Sequence, residues 1–181
     1  MLRRLPKPGP IFWLCAACVF WFLILAGKPA FTNASRPPRF GDPQLSLQFV
    51  RNLEDVDAIL GDAPSPDREV MRIKQYIDFA FIASYASLFI ALSLRGWQAG
   101  GWRRTVGIAA MLCGIAAAIF DVVENIAILR ILDIPLYLTG PGMLDAIRRA
   151  AIAKWLLAGI SLPLSIVGAI RLSVSRGTAQ R

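Results

Sequence analysis

Histidine is absent from the 181-residue sequence, and cysteine occurs at three positions. Because histidine is the commonest general base near neutral pH and a frequent metal ligand, its absence removes the usual centre of many catalytic and metal sites. Cys15 and Cys18 form one CxxC without a second pair, and Cys113 lies in another apolar run. We therefore expect no haem site and no zinc finger, and we interpret the three cysteines as small buried hydrophobic residues.

Charged residues are scarce as well, at 18% of the chain against 56% hydrophobic residues, and the mean hydropathy is +0.54. This composition excludes an ordinary soluble domain and predicts an integral membrane protein. Four apolar stretches approach or exceed the roughly 17 to 25 residues that a membrane-spanning helix needs, at 11–27, 76–95, 105–129 and 150–170. We predict an all-α fold, a four-helix membrane bundle that forms one domain over 1–181. The first span could be a cleaved signal peptide, but its apolar run is longer than the usual 7 to 15 or so residues, which favours an uncleaved anchor.

Acidic residues are missing from three segments that carry arginine or lysine, at 1–10, 95–104 and 171–181. The two remaining connections, 28–75 and 130–149, carry both signs of charge. The positive-inside rule then places both termini in the cytoplasm and the two mixed connections outside. The net charge of +8 therefore indicates membrane orientation, and no nucleic-acid partner is expected.

The first external connection contains a helix signal of its own. Asp42 followed by Pro43 is typical of a helix start, and apolar residues then recur every three or four positions, at Leu45, Phe49, Leu53, Val56 and Leu60. This pattern predicts an external amphipathic helix over 43–60, between the first and second spans. It would lie at the outer membrane surface or cap the bundle.

Two acids and an amide interrupt the third span. Asp121, Glu124 and Asn125 share one face of a helix, because they are spaced i, i+3 and i+4. Small residues line the same side at Gly107, Ala110, Gly114, Ala117 and Ala118, so we expect this face to pack against another helix. A carboxylate without water must find a partner, take up a proton or bind a cation.

The second and fourth spans each carry one further charge, Asp78 and Lys154. Tyr85 follows Asp78 by seven residues and so lies on the same helix face. With both termini inside, all these side chains fall in one layer near the outer leaflet. The predicted ligand or ion cluster is Asp78, Tyr85, Asp121, Glu124, Asn125 and Lys154. Its three carboxylates face one ammonium, so a proton, a bound cation, or an arginine from Arg130, Arg148 or Arg149 is expected to balance the charge.

The polar residues fall in three short motifs: Asp78-Phe79-Ala80-Phe81 with Tyr85, then Asp121-x-x-Glu124-Asn125, then Ala150 to Lys154-Trp155. Together they resemble a recurrent pattern in small bacterial four-span integral membrane proteins of unassigned function, over about 45–170. The resemblance implies a multi-pass protein of the bacterial inner (plasma) membrane, with these residues as the group's signature. It implies no mechanism.

Several functions fit this pattern. In the first, the cluster binds or conducts a proton, a cation or a small polar head group. In the second, Asp78, Asp121 and Glu124 hold a divalent cation in a membrane enzyme that acts on a lipid-like substrate; no catalytic residue is assigned. In the third, the cluster is a structural polar network, with Lys154 bonded to Asp121 or Glu124 and Asn125 bonded to a neighbouring backbone, and the protein is an assembly subunit whose 43–60 helix binds a membrane partner. Membrane lipids are expected partners, and a transport role would require a homo-oligomer because four spans are few for an alternating-access transporter.

Overall fold

The computed structural model describes residues 9–26, 30–31, 42–61, 64–135 and 138–169. These residues form six helices and no strand, so the prediction of an all-α fold is confirmed. The helices are α1 Pro10–Ala26, α2 Pro43–Leu47, α3 Leu53–Leu60, α4 Pro66–Ala99, α5 Trp102–Asp133 and α6 Pro141–Ala169.

Three of these helices, α4, α5 and α6, are long and apolar enough to cross a membrane. At 1.5 Å per residue each is about 43 to 51 Å long, which exceeds the roughly 30 Å hydrocarbon core. The apolar helix α1 is shorter, with 17 residues. The structure is therefore that of a helical membrane protein, in which α5 packs against α4 and α6 and α4 also packs against α1.

Small residues allow α4 and α5 to approach closely. Gly107, Ala110, Gly114 and Ala117 are buried on the side of α5 that also carries Asp121. A methyl group added at Gly107 would lie 2.6 Å from the backbone oxygen of Ser93 in α4. The small face predicted from sequence is thus the packed face, and it carries Asp121 into the interior of the bundle.

The 43–60 segment forms two short helices instead of the single helix predicted. Asp42 caps α2 as expected, by accepting a hydrogen bond from the Leu45 backbone N–H at 2.8 Å. The Asn52 side chain accepts a hydrogen bond from the Asp55 N–H at 2.8 Å and so starts α3 separately. Val56 and Leu60 of the predicted apolar stripe are buried in the core, but before the break the buried apolar residues are Leu47 and Val50, whereas the predicted Leu45 and Phe49 are half-buried.

The long helices extend beyond the apolar stretches that predicted them. Helix α4 begins at Pro66, ten residues before the predicted span, where the Ser65 side chain accepts a hydrogen bond from the Asp67 N–H at 3.2 Å. Helix α6 begins at Pro141, nine residues before the predicted span, because the charged segment 141–149 is also helical. An Arg148–Asp145 ion pair of 2.5 Å, spaced i, i+3, supports that part. The segments 27–29 and 32–41, where a signal peptide in the first span would be cleaved, and the basic segments 1–8 and 170–181 lie outside the described residues.

Candidate functional site

A lysine between two carboxylates forms the centre of the candidate site. The Lys154 Nζ of α6 lies 2.6 Å from Asp121 Oδ1 and 3.0 and 2.9 Å from the two carboxylate oxygens of Glu124. All three side chains are buried, and Glu124 has no exposed side-chain surface. Since the carboxylates are one helical turn apart on α5, one ammonium from α6 can contact both.

Two further hydrogen bonds connect this ion-pair centre with α4. The Tyr85 hydroxyl donates to Asp121 Oδ2 at 2.9 Å, so the two oxygens of Asp121 have different partners, Lys154 and Tyr85. The Asn125 side-chain amide donates to Asp78 Oδ2 at 2.7 Å. Three helices therefore meet in one polar layer, and the six residues named from the sequence all take part in these contacts.

The predicted arginines make contacts elsewhere. Arg148 and Arg149 approach the two oxygens of Asp145 at 2.5 and 3.9 Å, near the start of α6. Arg130 is exposed near the end of α5. In the part of the chain that the structure describes, Lys154 is thus the cation that pairs with carboxylates of the cluster. The cluster contains three carboxylates for this one ammonium.

A cavity of about 370 Å³ lies beside the cluster. Asp78, Tyr85, Asp121 and Lys154 contribute its polar wall, together with Asp42, Gln44 and Gln48 from the segment around α2. The rest of the described lining is apolar or aromatic, and comprises Leu23, Leu45, Ile77, Phe81, Phe89, Trp155 and Ala158. An apolar pocket of this size with a few convergent polar groups is typical of small-molecule sites.

Gln48 and Phe89 are two of the lining residues that were not predicted from the sequence. Gln48 is buried and accepts a hydrogen bond from the Trp155 indole N–H at 3.1 Å, which joins the α2 segment to α6. The sequence feature that could have indicated Gln48 is a polar residue inside the apolar run 45–50. Phe89 lies one turn after Tyr85 on the same face of α4, with ring centroids 5.6 Å apart, so the i, i+4 spacing that linked other residues could have found it.

The contacts around the carboxylates bear on the metal hypothesis. Among the described residues, no group of three or more cysteine, aspartate or glutamate side chains is arranged to hold a metal ion. The Lys154 ammonium itself lies between Asp121 and Glu124. A divalent site on Asp78, Asp121 and Glu124 stays a prediction, and this arrangement lends it no support.

The fold and the site together define a helical membrane protein with a buried lysine–carboxylate cluster beside a cavity. Comparisons with protein-family models, with curated proteins and with solved structures found no match to this chain. What the protein does must therefore be argued from the cluster and the cavity.

Proposed function

We propose that this membrane protein binds a cationic species in the cavity, with Asp78 as its counter-charge. The observation that carries the proposal is that two of the three carboxylates pair with Lys154, whereas the third does not. Lys154 is in ion-pair contact with Asp121 and Glu124, whereas Asp78 accepts a hydrogen bond from the neutral Asn125. Among the described residues Asp78 forms no ion pair, and it faces the cavity.

The electrostatic cost of this arrangement supports a bound cation. A carboxylate removed from water is expensive unless a hydrogen bond or an opposite charge compensates it. Asn125 supplies one hydrogen bond to Asp78 but no charge. A proton, an inorganic cation or a cationic head group in the cavity would supply the missing positive charge, and intramembrane ionisable residues commonly serve such functions.

The membrane topology is part of the same proposal: a four-span protein of the bacterial inner membrane with both termini in the cytoplasm. The adjoining ends of α4 and α5 carry Arg95, Arg103 and Arg104, and the segment 95–104 contains no acid, which favours a cytoplasmic position. Asp78 and Asp121 each lie about 17 residues, or about 26 Å, from the nearest of these arginines along their helices. The cluster would then lie near the outer leaflet and the α2–α3 segment outside the membrane. Helix α1 would be the span that adds to α4, α5 and α6 to make four.

The assembly hypothesis has less support. The apolar residues Leu47, Val56 and Leu60, which could have bound a partner helix, are fully buried within this chain. A membrane partner or a second copy would meet the remaining, more polar surface of the 43–60 segment.

Cation-dependent stability of the purified protein tests the proposal. Melting temperatures are measured by tryptophan fluorescence in a non-ionic detergent, with sodium, potassium, magnesium or tetramethylammonium chloride at constant ionic strength, and at several pH values. A cation at 100 times its dissociation constant stabilises by about 2.7 kcal/mol, or roughly 5 to 11 °C for a chain of this size. We expect such a shift in the wild type and its loss in Asp78→Asn.

Asp57→Asn is the matched control, because Asp57 is exposed on α3 and undergoes the same loss of one carboxylate. It should keep the cation response of the wild type. Proton binding would appear as a difference in melting temperature between wild type and Asp78→Asn that changes with pH, beyond any change seen with Asp57→Asn. An Asp78→Asn variant whose response to every cation and to pH equals that of the wild type would refute the proposal.

A further inference from the structure

We infer that the cavity's ligand is an amphiphilic organic ammonium, whose charged head contacts Asp78 and whose apolar part packs against the aromatic wall. This inference rests on the proposed cation site and assigns its ligand class. It depends on the size, the charge and the lining of the cavity, each of which narrows the choice of cation.

The cavity is half open, so its volume indicates the size of the part of a ligand that it can hold. About 370 Å³ is the space of roughly a dozen water molecules, at about 30 Å³ each. A proton needs no cavity, and a bare inorganic ion would leave most of the space to water beside apolar walls. An organic molecule of about a dozen non-hydrogen atoms fills it.

The charge of the lining selects a cation. The described lining residues include three aspartates, Asp42, Asp78 and Asp121, against the single lysine Lys154. Lys154 lies 2.6 Å from Asp121 and neutralises that carboxylate. Among the described residues, Asp78 is therefore the aspartate of the cluster that has no ion-pair partner. An anionic ligand would meet repulsion here, whereas an ammonium would meet the half-buried carboxylate of Asp78.

The aromatic residues suit an organic ammonium rather than a hydrated metal ion. Phe81, Tyr85 and Phe89 form a row along α4 with successive ring centroids 5.3 and 5.6 Å apart in edge-to-face geometry. On the other side, Lys154 Nζ lies 5.6 Å from the centroid of the Trp155 ring, so a cation already lies over one aromatic ring of this cavity. Aromatic faces attract alkylammonium groups, which lose less hydration than metal ions when they are buried.

The test compares a charged probe with a neutral molecule of the same shape. Benzyltrimethylammonium has about the required size, and neopentylbenzene replaces its nitrogen by carbon. Binding to the full-length protein in a non-ionic detergent is measured by tryptophan fluorescence and by the shift in melting temperature. We expect benzyltrimethylammonium to bind at least tenfold more tightly than neopentylbenzene, a comparison that needs no variant.

The variants then locate the charge. Asp78→Asn should weaken benzyltrimethylammonium binding about ten- to a hundredfold, the usual effect of losing a charged partner, and should leave neopentylbenzene binding unchanged. Asp57→Asn should leave both unchanged. Displacement of the probe from protein in nanodiscs by phosphatidylethanolamine, but not by phosphatidylglycerol, would assign the ammonium to a lipid head group. Absence of displacement by either lipid would assign it to a free amine.

The outcomes separate this inference from the proposed function. Equal binding of the two probes, or equal binding of benzyltrimethylammonium to wild type and Asp78→Asn, overturns the organic-ammonium assignment. If inorganic cations or protons still give an Asp78-dependent stabilisation in that case, the cation site stands and its ligand is inorganic. If neither probe nor any cation gives an Asp78-dependent signal, both proposals fail.

Discussion

Replacement of Lys154 by methionine should be the most destabilising single change in the cluster. Methionine keeps most of the side-chain volume but removes the ammonium that contacts Asp121 and Glu124. Their side chains are 8% and 0% exposed, so water cannot replace the lost charge. Removal of one member of a buried ion pair usually costs about 3 to 5 kcal/mol. For a chain of this length that corresponds to a fall in melting temperature of about 6 to 20 °C.

The assay is thermal unfolding in detergent, followed by tryptophan fluorescence and far-UV circular dichroism. Arg149→Met is the matched control, because the Arg149 side chain is 81% exposed and its ion pair with Asp145 is long, at 3.9 Å; it should change stability by no more than about 0.5 kcal/mol. A triple variant, Lys154→Met with Asp121→Asn and Glu124→Gln, should recover much of the loss because neither former partner of the ammonium then carries a charge. The reasoning is refuted if Lys154→Met melts within 2 °C of Arg149→Met.

Two other contacts in the bundle give sharp predictions. Gly107→Ala should lower stability by about 1 to 3 kcal/mol, because the new methyl group would lie 2.6 Å from the Ser93 backbone oxygen; Gly159→Ala, with no atom within 4 Å, should be neutral or slightly stabilising. Ser161→Ala should cost about 0.5 to 1.5 kcal/mol, because the buried Ser161 hydroxyl donates to the Ala110 carbonyl at 2.8 Å. Both predictions are checked by the melting temperatures of the wild type and the three variants. Equal melting temperatures of Gly107→Ala and Gly159→Ala would contradict the first prediction. A Ser161→Ala variant that melts at the wild-type temperature would contradict the second.

The polar residues could be named from sequence because membrane helices have few of them. On an apolar helix any carboxylate is conspicuous, and the small residues in register with Asp121 showed which side packs. The structural-network hypothesis paired Lys154 with Asp121 or Glu124, but the sequence could not show that both carboxylates share the ammonium. Periodicity places residues on a face, but the choice of Asp121 and Glu124 rather than Asp78 as partners of Lys154 depends on helix rotation and depth.

Helix ends and the cavity were harder to predict for a different reason. The apolar stretches predicted where the chain could cross a membrane, and α4 and α6 continue beyond them because charged turns with local ion pairs, Arg72–Glu69 and Arg148–Asp145, are also helical. The break between α2 and α3 depends on one side-chain cap, that of Asn52, which the apolar periodicity masked. The cavity depends on which side chains leave space between five elements, a property of tertiary packing.

The carboxylates that pair with Lys154 and the cavity-facing carboxylate of Asp78 require different experiments. Glu124 is fully buried and contacts Lys154, so a Glu124→Gln variant changes the balance of the ion-pair centre and the fold together. Loss of function in that variant would therefore not distinguish a ligand site from a structural network. Asp78 lies on the cavity wall, where Asn125 supplies its hydrogen bond. Asparagine at this position keeps the shape and removes the charge, so Asp78→Asn is the substitution that separates cation binding from helix packing.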